Sequence, residues 1–279
     1  MSNKKNGAKS WKNPHFVDHP GANQVAQALQ LGKKLREKTA AGHALGTFLI
    51  DLPTISTLHA IALAGFDFVV LDMEHSAIDF SNLESLITAG QAAGLTVLVR
   101  IWGEDIGLIG KALDLGAHGI MAPHVDSPER ARAIVEEARY APQGSRGFSP
   151  ILKYASLEEP LRELNESTYI IVQIEGRAAI ERIEEITAVE GINAAFVGPY
   201  DLALSLGVQP NTPEVFTAAE NMASKVPETL DMGIYIDDPN TCGDWVKRRF
   251  ALQCVSFDGR MLADAARSVA VKARDSVNS

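Results

Sequence analysis

The chain has 279 residues, 46% of them hydrophobic and 22% charged. These fractions exclude collagen, long coiled coil and wholesale disorder, and suit one large α/β domain or two small ones. With 26 basic against 35 acidic side chains, the formal net charge is -9. A polyanion is a poor generic ligand for nucleic acid or an acidic membrane surface, so composition favours a small-molecule role.

Residues 1–20 carry Asn, Lys, Gly and Pro without a sustained period and predict a flexible tail. The opening MSNKKNGAKS lacks the apolar core of a secretory signal. No run approaches the ~18 apolar residues that span a bilayer. Cys242 and Cys254 are too few for a four-thiolate metal site or a disulfide scaffold and read as packing residues. A reducing, cytoplasmic location is expected. A single domain over 21–279 begins with a helix from Asn23 to Glu37, where Val25, Ala28, Leu31 and Leu35 recur at helical spacing.

A strand–helix rhythm follows. Strands are predicted at GTFLI (46–50), FDFVVLD (66–72), LTVLVRI (95–101), HGIMAP (118–123), YIIVQIE (169–175), AAFVG (194–198), GIYI (233–236) and LQCVSF (252–257). Helices are predicted over Thr54–Ala64, Phe80–Ala92, Ile106–Leu115, Ser127–Tyr140, Leu157–Glu166, Arg177–Val189 and Gly259–Arg274. Ser127 caps its helix, with Pro128 in the first turn. The Gly- and Pro-rich stretch 141–154 is long enough to be a functional loop. Continuous apolar strands separated by helices imply parallel pairing buried on both faces. The fold expected is α/β, an eight-stranded (β/α)8 TIM barrel with an N-terminal helical extension. A doubly wound sheet is the alternative, but it usually carries a glycine-rich loop after its first strand, and GTFLIDLPT has none.

A barrel of this kind carries its active site at the C-terminal strand ends. Those ends hold Asp72, Glu74 and His75, then Arg100 and Trp102, then His124, then Gln173 and Glu175, then Gly198, Pro199, Tyr200 and Asp201. Each has a bland reading. Asp201 can cap the following helix, Asp72 can form a turn, and Arg100 can pair structurally with Asp72 or Glu74. His124 can be a satisfied histidine, and Trp102 can be a site wall or core packing. Capping does not explain Glu175 or Arg100 directly after apolar runs, where a charge needs a partner or a metal. Glu175 and Asp201 end neighbouring strands, within reach of one cation. Two hard oxygen ligands suit Mg²⁺ or Mn²⁺, with Co²⁺ as a substitute. In Gly198-Pro199-Tyr200-Asp201 a strand turns into a helix, and the free N–H groups of Tyr200 and Asp201 can cradle a carboxylate. A metal beside an anion cradle is a site for a 2-oxo acid. The metal acidifies carbon three or stabilises an enolate released by C–C cleavage. Arg100 adds positive charge beside the enolate oxygen, and His75, oriented by a carboxylate, moves the hydroxyl proton. Lys153 is the nearest, and weak, Schiff-base candidate.

Together these residues resemble the HpcH/HpaI family of metal-dependent pyruvate aldolases. The matching pieces are GTFLIDLP (46–53), AGFDFVVLDMEH (64–75), VLVRIW (97–102), ALDLGAHGIMAPHVDSPERAR (112–132), RYAPQGSRG (139–147), VQIEGRAAIE (172–181) and VEGINAAFVGPYDLALSLG (189–207). They lie between residues 46 and 207. The resemblance implies a barrel of the phosphoenolpyruvate/pyruvate type. It implies a divalent metal on Glu175 and Asp201, Arg100 on the enolate oxygen, and His75 paired with Asp72 in proton transfer through a metal-bound water. Glu74 would orient metal waters and Gln173 would line the substrate. It also implies a last helix exchanged between subunits in a hexamer, a trimer of dimers. Three departures concern the acceptor half of the site. Tyr200 stands where the family usually has a small residue. GFSPILKYAS lacks the usual Arg and Trp. His124 is similar to the histidine after strand four of macrophomate synthase, a fungal relative.

The activity implied is cleavage of a 4-hydroxy-2-oxo acid or a 2-keto-3-deoxy sugar acid to pyruvate and an aldehyde. The alternative is an oxaloacetate decarboxylase, or a macrophomate-synthase-like C–C bond-forming enzyme, using the same enolate. A barrel that only binds a 2-oxo acid is the non-enzymatic reading.

Overall fold

A computed structural model describes residues 11–18, 26, 28–103 and 105–278. The eight apolar runs become strands β1 (Ala44–Leu49), β2 (Phe68–Asp72), β3 (Thr96–Arg100), β4 (Gly119–Ala122), β5 (Tyr169–Ile174), β6 (Ala194–Val197), β7 (Asp231–Ile236) and β8 (Leu252–Phe257). They pair in parallel in chain order, and β8 closes on β1. The expected TIM barrel is therefore the fold, and the open doubly wound sheet is set aside.

Alternation along each strand builds two cores. Val69 and Leu71, Val97 and Val99, and Ile170 and Val172 face outward into the layer between strands and helices. Phe68 and Val70, Leu98, and Tyr169 and Ile171 fill the barrel interior. Each such buried side chain contributes roughly 1.5–3 kcal/mol of transfer free energy. The interior phase continues upward through Asp72, Arg100, Gln173 and Glu175, so the pleat itself aims these polar groups at the C-terminal mouth. Two strand glycines make room inside. A Cβ on Gly46 would stand 2.2 Å from the Phe68 ring, and one on Gly233 would stand 2.4 Å from the Phe196 ring.

The helices are α1 (Leu31–Ala40), α2 (Ile55–Leu63), α3 (Phe80–Ala92), α4 (Gly107–Asp114), α5 (Pro128–Ala138), α6 (Pro160–Ser167), α7 (Arg177–Glu181), α8 (Ile183–Thr187), α9 (Pro199–Leu206), α10 (Pro213–Lys225), α11 (Cys242–Lys247) and α12 (Asp258–Asn278). Ser127 caps α5 through Arg130 N–H, as its sequence predicts. The helix expected over Arg177–Val189 breaks at Arg182, whose backbone leaves the helical region. α10, with Pro213 in its first turn, was not anticipated.

α1 closes the N-terminal end of the barrel, opposite the mouth. Leu35 enters the interior core, Thr39 donates to Asp231 Oδ2 at 2.7 Å, and Thr96 Oγ1 donates to Leu31 O at 3.0 Å. The start of the expected leading helix, 23–25 and 27, lies outside the described residues, as do 1–10 and 19–20 of the expected tail. Residues 11–18 of that tail dock on the turn at Leu152–Ser156. Asn13 Nδ2 donates to Tyr154 O and Leu157 O at 3.0 and 3.1 Å, and Trp11 meets Phe148 edge-on at 5.1 Å. Among the described residues no helix is long and apolar enough to cross a membrane.

Candidate active site

The barrel mouth holds a cavity of about 320 Å³ whose wall includes His75, Arg100, Gln173, Glu175, Tyr200 and Asp201. Arg100 ends β3 directly opposite Asp72 in β2. Its Nε and one terminal nitrogen donate to the two Asp72 oxygens at 2.8 and 2.6 Å. Nε also lies 3.4 Å from Glu74 Oε2. Burial opposes the guanidinium charge, but Asp72, then Glu74 and Glu175, outweigh it and raise the Arg100 pKa. Beneath, the guanidinium sits over the Phe48 ring at 4.8 Å. The structural pairing anticipated for Arg100 thus exists, yet the side chain also lines the cavity.

Glu175 follows β5 and is 3% exposed. Oε1 accepts from the His124 backbone N–H at 2.8 Å and lies 3.0 Å from His124 Nδ1. Oε2 accepts from Gln173 Nε2 at 3.1 Å. Burial raises the Glu175 pKa. His124 opposes the rise, while Asp201 and Glu74 add to it. Desolvation and the neighbouring acids both penalise the Glu175 carboxylate, a penalty that a bound cation would relieve. Gln173 Oε1 is buried without a partner, an acceptor facing the same region. Gly198 has a definite reason to be glycine, since a Cβ there would stand 2.5 Å from Glu175 Oε2. Among the described residues no three His, Cys, Asp or Glu side chains could hold a metal by themselves. A cation on Glu175 and Asp201 would leave its other positions to water and substrate, which fits the donor set expected of Mg²⁺ or Mn²⁺.

α9 begins at Pro199 with no side-chain cap on Gly198. Its first-turn N–H groups, Tyr200 and Asp201, lack intrahelical partners and suit a carboxylate. The remaining candidates lie higher. His75 Nε2 is 3.7 Å from Glu74 Oε2. Among the described residues no side-chain contact joins His75 to Asp72 as expected, because Asp72 is engaged by Arg100 and by the Glu74 and His75 backbone N–H groups. His124, at φ 54°, spans Glu175 and Glu74, its Nε2 3.3 Å from Glu74 Oε1. Trp102 is 64% exposed and stands outside the cavity wall in the single chain. The polar ends were legible from strand endings. The apolar wall of Phe48, Ile50, Phe196, Tyr235 and Phe257 was missed, though its phase along each strand could have revealed it.

Residues 48–265 match the HpcH/HpaI aldolase/citrate lyase family. The chain belongs to this family. It is 34% identical over 238 residues to 2-dehydro-3,6-dideoxy-6-sulfogluconate aldolase of Pseudomonas putida, covering 82% of this chain and 93% of that one. It is 35% identical over 238 residues to a hydroxypyruvate/pyruvate aldolase of Rhizorhabdus wittichii, covering 81% and 92%. Among solved structures, macrophomate synthase superposes with a TM-score of 0.77 at 24% identity, over 91% of this chain and 90% of that one, a likeness of fold alone. Membership among aldolases makes this HpcH/HpaI chain a carbon–carbon lyase acting on small molecules, and the binding-only barrel is set aside.

Proposed function

We propose that the chain is a divalent-metal-dependent aldolase that cleaves a 4-hydroxy-2-oxo acid, or a 2-keto-3-deoxy sugar acid, to pyruvate and an aldehyde. The observation that carries this reading is the pairing of buried, acid-crowded Glu175 with Asp201 across one cavity from Arg100. A divalent cation on these two carboxylates supplies Lewis acidity at the 2-oxo group. The N–H groups of Tyr200 and Asp201 bind the substrate carboxylate, and Gln173 lines it. Arg100, held rigid by Asp72, places a fixed positive charge beside the developing enolate oxygen. His75, steered by Glu74, takes the proton of the 4-hydroxyl. As that proton leaves, the C3–C4 bond breaks, its electron pair passes into the enolate, and the aldehyde departs. Protonation at C3 then gives pyruvate.

His124 favours a second reading. Its contact with Glu175 sets a histidine above the proposed metal pair, as a decarboxylase or macrophomate-synthase-like enzyme would use to handle oxaloacetate. That reaction loses CO₂ to reach the same enolate and needs no hydroxyl deprotonation. For assembly, we propose a cytoplasmic homo-oligomer, a hexamer built as a trimer of dimers, in which α12 packs on a second copy.

The test is pyruvate release by metal-stripped protein resupplied with Mg²⁺, Mn²⁺ or Co²⁺, assayed in parallel on oxaloacetate and on a 4-hydroxy-2-oxo acid. Metal-dependent release from the hydroxy acid is the expected result. Release from oxaloacetate alone would move the reading to the decarboxylase, and release that ignores the metal would sink the cation assignment.

A further inference from the structure

One side of the cavity, starting at the Phe48 ring beneath the Arg100 guanidinium, is a run of aromatic rings. Phe196 of β6 meets Phe48 of β1 edge-on at 6.3 Å. Phe48 meets Tyr235 of β7 at 6.2 Å, and Tyr235 meets Tyr200 of α9 at 5.9 Å. All four rings line the cavity. The run climbs from buried Phe196 and Phe48 to the mouth, where Tyr200 is 42% exposed.

Asp237, just past β7, fixes the upper two rings. Its Oδ2 accepts the Tyr200 hydroxyl at 2.7 Å and Asn211 Nδ2 at 2.8 Å. Its Oδ1 accepts the Tyr235 hydroxyl at 3.2 Å and an Arg260 terminal nitrogen at 2.9 Å. A carboxylate offers about four lone-pair sites, so these donors saturate it. Arg260 is committed to Asp237 and lies 3.9 Å from Asp264. Among the described residues of the cavity wall, Arg100 is the only Lys or Arg, and it is committed to Asp72 and Glu74. This side of the mouth therefore presents ring surface and no unpaired cation.

We infer that the Phe196–Phe48–Tyr235–Tyr200 wall is the subsite for the aldehyde half of the substrate, and that it selects a neutral, flat, aromatic aldehyde over one bearing a carboxylate. The inference rests on the aldolase reading above and names its acceptor class. An acidic aldehyde would give up its hydration here without gaining a counter-charge. An aromatic one gains edge and offset contacts with rings already held in place, so little ordering entropy is lost on binding. Asp237 touches neither reacting partner and acts as a positioning residue, keeping the two tyrosine rings upright.

The test uses the full-length, Mn²⁺-loaded protein. Exchange of the pyruvate methyl protons with deuterated water, followed by NMR, reads enolate formation with no acceptor present. kcat/KM is then measured for addition of pyruvate to benzaldehyde and to glyoxylate. Benzaldehyde is expected to win by about tenfold or more. Tyr200→Ala and Asp237→Asn should each cut that ratio by about threefold or more, chiefly by raising KM for benzaldehyde, while Tyr200→Phe, which keeps the ring, retains most of it. A preference for glyoxylate, or a ratio unmoved by Tyr200→Ala, with methyl exchange intact, overturns the acceptor assignment and leaves the aldolase reading standing. Absence of exchange in the wild-type protein overturns both.

Discussion

At the level of single residues, the mouth of the barrel concentrates more acid than base. Asp72, Glu74 and Glu175 act on one guanidinium, Asp201 adds acid to the same cavity, and Asp72 takes that guanidinium in a two-pronged grip. A planar fork fits such a grip and an ammonium does not. Arg100→Lys is therefore expected to lower both aldol cleavage and oxaloacetate decarboxylation by about a hundredfold or more, because the shared enolate loses its fixed charge. Comparable steady-state rates in wild type and variant would remove Arg100 from the chemistry. Gly198 allows a sharper check on Glu175. Since a Cβ would stand 2.5 Å from Glu175 Oε2, Gly198→Ala must displace that carboxylate. Mn²⁺ affinity, read by calorimetric titration, should fall by about tenfold or more while the far-ultraviolet dichroism stays that of the wild type. Unchanged affinity would place the cation elsewhere. Most of these residues were legible in the sequence because charge directly after an apolar strand is costly without a purpose. The partner of His75 was not, because two acids two positions apart, Asp72 and Glu74, cannot be told apart until Arg100 chooses Asp72.

At the level of elements, the strands were easier to read than their boundaries. β1 starts at Ala44 and β7 at Asp231, each two residues before its apolar run suggests, because backbone pairing with neighbours extends beyond the hydrophobic stretch. α10 escaped notice because its buried face, Val215, Ala219, Met222 and Ala223, is small and interleaved with polar residues. The clamp between the chain before α1 and β4 was also hidden. His118 stands at the entry to β4 and is buried. Its Nδ1 accepts from Val97 N–H at 2.8 Å, and its Nε2 donates to Ala28 O at 2.7 Å. Burial pushes its pKa down from 6.5 to about 4. The folded value lies below the unfolded one, so the unfolded chain binds the proton first as the pH falls. Stability attached to the neutral imidazole is complete above pH 6.5 and lost progressively down to about pH 4. The loss amounts to about 3 kcal/mol at most. Urea denaturation at pH 7.5 and 5 should show it as a lower midpoint at the acid value. In His118→Asn the difference between the two midpoints should shrink. An equal difference in both proteins would assign the acid sensitivity to another group.

At the level of the whole molecule, α12 is out of proportion to a lone barrel. It runs for 21 residues, and Leu262, Val269, Val271 and Val277 are each at least half exposed. Solvent-facing β-branched residues lower helix propensity and gain nothing in return unless they are covered. Beside the start of α12 lies a groove of about 410 Å³ lined by Ala60, Ile61, Ala64, Phe66, Met261 and Leu262. An exposed apolar helix next to an apolar groove on the same chain is self-complementary, the condition for a closed symmetric contact between copies. This pairing is what supports the proposed oligomer. Light scattering coupled to size exclusion should give the full-length protein a mass several times that of one chain at micromolar concentration. Val269→Asp places an uncompensated charge where a second copy would bury it, at a cost of several kcal/mol, and should shift the mass towards the single chain. The site's own chemistry need not follow, because Glu175, Asp201 and Arg100 all come from one barrel. A wild-type protein that runs as a monomer would leave the exposed valines of α12 without a partner and remove the oligomer from the reading.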